Sequence, residues 1–75
     1  AGLVEEIVEE LQKTIDVVNF WKKQARVRKL EGIIEDILSF SGVDEIAHNH
    51  KRITTEILNL ARKRHDDLVR NKPND

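Results

Sequence analysis

The sequence predicts an all-α domain, a three-helix antiparallel bundle with helices over about 2–13, 20–41 and 44–71. Three observations carry this. Apolar residues recur at three- and four-residue steps through three stretches, the spacing that gathers side chains on one face of a helix. The chain has three aromatic residues (one Trp and two Phe), a single Pro and three Gly, a composition that suits helices better than strands. The connections between the three stretches are short, and short connections favour antiparallel neighbours. Residues 1–71 read as one helical domain and 72–75 as a polar tail.

The first predicted helix carries Leu3, Val4, Ile7, Val8 and Leu11 on one face. Glu5, Glu6, Glu9 and Glu10 lie toward the positive end of its dipole, and Lys13 suits the negative end. Thr14-Ile15-Asp16-Val17-Val18 is rich in β-branched residues, which lose χ1 freedom in a helix, so a break or extended connection is expected there. Asn19 is the expected N-cap of the second helix.

That second helix has the longest apolar stripe: Phe20, Val27, Leu30, Ile33, Ile34, Ile37 and Leu38, with Trp21 and Phe40 on its flanks. Gly32 inside it costs about 1 kcal/mol relative to Ala, which a close helix crossing would explain. Gly42 is suited to the left-handed conformation that ends a helix. Asp44 is the expected cap of the third helix, with Ile46, Ile53, Ile57, Leu60, Ala61 and Leu68 as its stripe. Asn49 is an alternative start, which would leave 44–48 as a separate short turn. The helix is expected to fray near Asn71, before Pro73.

Seventy-five residues allow one domain at most, and a domain this small buries only about 60% of the surface its unfolded chain exposes. Without cysteine there is neither a disulfide framework nor a thiolate zinc site, which is compatible with a cytoplasmic location. No apolar run approaches the roughly 20 residues of a membrane span. The first turns are acidic where a signal peptide would be basic. A start at Ala1-Gly2 with no Met anywhere reads as an excised fragment.

The net charge of −1 hides a blocked distribution, because 36% of the residues are charged. In the antiparallel arrangement, Lys22, Lys23, Arg26, Arg28 and Lys29 join Lys13, Arg62, Lys63, Arg64, Arg70 and Lys72 at one pole, tempered by Asp16, Asp66 and Asp67. Acidic residues of the first helix, with Glu35, Asp36, Asp44 and Glu45, take the other. The second helix carries cations at its own positive end, an unfavourable placement of a few tenths of a kcal/mol per charge that another interaction must offset. The surface singled out is therefore Lys22, Lys23, Arg26, Lys29, Arg62 and Lys63. Three readings stay open for it: a solvated helix face, a protein-docking surface, or a phosphate contact. A near-neutral pI of 6.3 argues against a dedicated nucleic-acid-binding domain. The apolar faces leave self-association open as well.

Other residue groups point to no chemistry. His48 and His50 are two apart, so on a helix they diverge by about 200° and cannot share a metal. Glu45-Ile46-Ala47-His48 is a single Glu-x-x-His, where a di-iron bundle needs two such motifs and two further carboxylates. His65, beside Asp66 and Asp67, has no second convergent group and is expected at the core edge or over a helix C-terminus. Trp21 reads as core rather than as a base-stacking platform. Phosphate loop, nucleophile elbow and dinucleotide fingerprint are all missing, so an enzyme, a cofactor site or a metal site is not expected in this chain.

Glu9-Glu10-Leu11, Thr14-Ile15-Asp16, Phe20-Trp21, Arg26-x-Arg28-Lys29-Leu30, Ile34, Ile37-Leu38, Ile57-Leu58 and Ala61 together give a pattern over about residues 3–69. It resembles the C-terminal helical region of the restriction (R) subunit of type I restriction–modification enzymes. Many members carry a Tyr-Pro-Pro type turn after the second helix, where this chain has Ser39-Phe40-Ser41-Gly42-Val43. The resemblance implies a non-catalytic assembly module in a cytoplasmic complex that translocates and cleaves DNA. Its partners would be the methyltransferase and specificity subunits. ATP and Mg would belong to motor and nuclease domains outside this chain.

Overall fold

A computed structural model describes residues 2–70, and within them the chain is all-α. The expected fraying at Asn71 and the 72–75 tail, with Lys72, lie outside the described residues. The helices are α1 (Leu3–Thr14), α2 (Gln24–Ser39), α3 (Asp44–His48), α4 (His50–Lys63) and α5 (His65–Arg70), with a 3₁₀ turn at Phe20–Lys22. No helix among the described residues is long and apolar enough to cross a membrane.

α1 ends where the β-branched run begins. Ile15 closes it, its N–H donating to the Leu11 carbonyl at 3.0 Å, and its side chain is fully buried. The connection is tightly turned rather than extended: Val17 N–H reaches the Ile15 carbonyl at 2.8 Å and Phe20 N–H the Val17 carbonyl at 3.0 Å. Asn19 is not a side-chain cap. It sits in the left-handed region (φ 58°), which Asn tolerates better than most residues, and its carbonyl accepts from Lys22 N–H.

The second predicted helix, 20–41, is shorter than expected. Phe20 to Lys22 form the separate 3₁₀ turn, and α2 proper starts at Gln24. Its buried residues, Leu30, Ile34 and Leu38, follow a four-residue step. Phe40, expected on the flank of the stripe, is 85% exposed because α2 has ended at Ser39. Gly42 has φ 80°, the left-handed turn expected of it. Gly32 does not mark a helix crossing: a Cβ built there meets nothing within 4 Å.

The third predicted helix, 44–71, is three helices within the described residues. Asp44 lies in the first turn of α3, whose cap position is Val43, and the alternative start at Asn49 is the one α4 uses. At the break Asn49 adopts φ −106°, ψ 19°, while its side-chain amide donates back to the Glu45 carbonyl at 2.8 Å. A second break at Arg64 separates α5.

The core is built from Ile7, Leu11 and Ile15 of the first segment, Phe20 of the 3₁₀ turn, Leu30, Ile34 and Leu38 of α2, and Leu58 and Ala61 of α4. The buried face of α4 is rotated from the expected one. Leu58 and Thr54 point inward, whereas Leu60 is 56% exposed. Thr54 is 1% exposed and tolerable there because its hydroxyl donates to the His50 carbonyl at 2.7 Å. α4 starts beside the C-terminal half of α2, where His50 Nε2 lies 3.8 Å from Glu35, and runs back along it.

Candidate docking surface

The six cations singled out from the sequence are all exposed. Lys22 closes the 3₁₀ turn, Lys23 occupies the N-cap position of α2, and Arg26 and Lys29 lie in its first two turns. Arg62 and Lys63 lie in the last turn of α4. A long-range contact brings the two groups to one end of the fold: the Trp21 indole N–H donates to His65 Nδ1 at 3.1 Å. Trp21 precedes Lys22, and His65 follows Lys63 by two residues, so the bond ties the start of α2 to the end of α4. Phe20 stacks edge-on against Trp21 with ring centroids 5.0 Å apart. The half-buried Trp21 thus packs on the core with one polar edge satisfied. With Nδ1 accepting, the neutral His65 ring carries its proton on Nε2. His65, half-buried against Trp21, stands at the core edge, one of the two places expected for it, and opens α5 directly after the α4 cap residue Arg64.

Electrostatics divide the six cations. Arg62 and Lys63 sit at the negative end of α4, a placement the helix dipole favours. Lys23 and Arg26 sit at the positive end of α2, whose first turn holds no acidic residue and whose cap makes no side-chain hydrogen bond. Helix formation accounts for the first pair and opposes the second. Arg26 and Lys29 also edge a crevice of about 350 Å³ between α1 and α2, floored by Phe20 and Ile33. Across it Glu10 is engaged by Lys13 at 3.2 Å and by the Thr14 hydroxyl at 3.4 Å. The crevice offers an apolar floor under a cationic edge, a shape suited to an acidic or phosphorylated group carried on an apolar body.

A second surface gives a location to the uncovered apolar faces that the sequence left open for self-association. An apolar groove of about 290 Å³ runs between α1 and α4, with Val4, Val8 and Leu11 on one side and Ile57 and Leu60 on the other. Arg64 and Leu68 stand at one end. The only available hint was the surplus of apolar positions on α1 and α4, which exceeds what a single neighbour can cover.

The chain matches no protein-family model, no curated protein and no solved structure. Its surfaces therefore have to be read from their own chemistry.

Of the two histidines at the α3–α4 junction, His50 is occupied locally. His50 Nδ1–H donates to the Ala47 carbonyl at 2.7 Å, and His48 is exposed. Among the described residues, no group of three or more His, Cys, Asp or Glu is placed to hold a metal ion.

Proposed function

We propose that this chain is a non-catalytic docking module, and that its cationic end is the surface that meets the partner. The observation that carries the reading is the pair Lys23 and Arg26 at the positive end of α2. These charges weaken the helix that bears them, and the Trp21–His65 bond fixes their end of the fold beside Arg62 and Lys63. An anionic partner would turn an unfavourable placement into a favourable one. We read the packing of α1, α2 and α4 as an antiparallel three-helix bundle that serves as a rigid platform for this end.

The resemblance to the C-terminal region of type I restriction R subunits supplies the partner class: the methyltransferase–specificity core of such a complex. ATP and Mg would act in the parent's motor and nuclease domains. In a pull-down with a purified methyltransferase–specificity core, the chain is expected to bind, and Lys23→Glu with Arg26→Glu to weaken binding at least tenfold. Absence of binding by the folded wild-type chain would remove the reading.

The same cations support a second reading, direct contact with DNA phosphates. It predicts duplex binding that falls steeply with salt, and a shallower salt slope in Arg26→Glu. A flat titration at low salt excludes it.

A further inference from the structure

We infer that the α1–α4 groove is a homodimer interface, filled by the same face of a second copy related by a two-fold axis running along the groove. Its basic rim shares Lys63 with the cationic end, but the inference rests on the apolar groove and stands or falls independently of the docking reading.

The groove is apolar yet open to solvent. Val4 is 72% exposed and Leu60 56% exposed, with Ile53 and Ile57 half-buried beside them. Contiguous apolar surface of this kind on a small monomer marks an interaction site. A chain of 75 residues also has little core of its own, and association is one of the means by which small domains gain stability.

Charge selects the occupant. On α1, the two outermost groove residues are each followed by an exposed carboxylate, Glu5 after Val4 and Glu9 after Val8. On α4, helical spacing places exposed Arg52, Glu56 and Lys63 beyond Leu60, and Arg64 itself lines the groove. One rim is thus acidic and the other net basic.

α1 and α4 both run antiparallel to α2 and so point the same way. A two-fold axis along the groove sets α1 of one copy over α4 of the other, in parallel, and pairs acidic rim with basic rim twice. A two-fold axis across the groove would set α1 over α1 and carboxylate against carboxylate. An isologous interface must be complementary to itself, and this face meets that condition in one orientation only.

Sedimentation equilibrium of the chain tests the proposal. A monomer–dimer equilibrium is expected in the range of about 1 µM to 1 mM. Leu60→Glu should give only monomer, with helical circular dichroism retained because the side chain lies outside the core. Glu9→Arg and Arg64→Glu should each weaken the dimer at least several-fold, and the double exchange should restore it. A wild-type chain that stays monomeric at millimolar concentration overturns the proposal. So does a dimer that withstands Leu60→Glu, or a double exchange that remains as weak as the single variants.

Discussion

α4 has two seams, and they differ. Toward α2 it is closed: Thr54 and Leu58 are buried on the side of a helix that offers Leu30, Ile34 and Leu38 to the same core. Toward α1 it is open: Ile57 and Leu60 line a groove that α1 does not fill. Both seams draw on one apolar arc. Leu58 and Leu60 are two residues apart, about 200° around the helix, so one enters the core and the other faces solvent. Chemical type is the same at both positions, and only the packing of neighbouring helices tells them apart.

The sharpest way to break this comparison is to truncate both leucines. Leu58→Ala should cost about 2–5 kcal/mol, a large part of the stability of so small a domain. Leu60→Ala should stay within about 0.5 kcal/mol in dilute solution, as exposed substitutions do. Urea midpoints of the two variants measure the difference directly, and equal losses would mean that the groove is closed in solution.

Trp21→Phe tests the tie across the cationic end. It keeps an aromatic ring against Phe20 but removes the N–H donated to His65, for an expected loss of about 0.5–1.5 kcal/mol. The partner variant His65→Leu should add little once Trp21 has become Phe, so a double-mutant cycle reads the coupling. Additive losses would show that the bond contributes nothing.

Gly32→Ala acts on the outer side of α2, where a new Cβ meets no neighbour. It should raise stability by up to about 1 kcal/mol through helix propensity alone, seen as a higher melting temperature. Smallest of all, Arg26→Glu should stabilise the isolated chain by about 0.3–1 kcal/mol at low salt, because it replaces an opposed charge with a favoured one at the positive end of α2. The same variant should weaken partner binding. Opposite signs for folding and binding would separate a functional cation from a solvated one.

Much of the fold was legible because much of it is local. α1 follows from its apolar spacing and its β-branched end, and the left-handed Gly42 from the residue type that such a turn requires. What misled was length. The apolar pattern from 44 onward suggested one helix, with Asn49 as an alternative start; α4 does begin after Asn49, and a further break at Arg64 interrupts the pattern with no Gly or Pro to announce it. The basic run was visible as a run. Its division into dipole-favoured and dipole-opposed members depended on where α2 and α4 begin and end.

By itself the sequence determined the helical class, the blocked charges and the set of residues able to form a core, since periodicity and residue chemistry act over a few positions. Only the tertiary structure decided which of those residues are used. The rotation that buries Leu58 and exposes Leu60, the bond between Trp21 and His65, and the groove left between α1 and α4 all arise between segments far apart in the chain. A helix whose apolar arc is wider than one neighbour can take up that arc in more than one way, and the choice is made by the competition of α1, α2 and α4 for the same core.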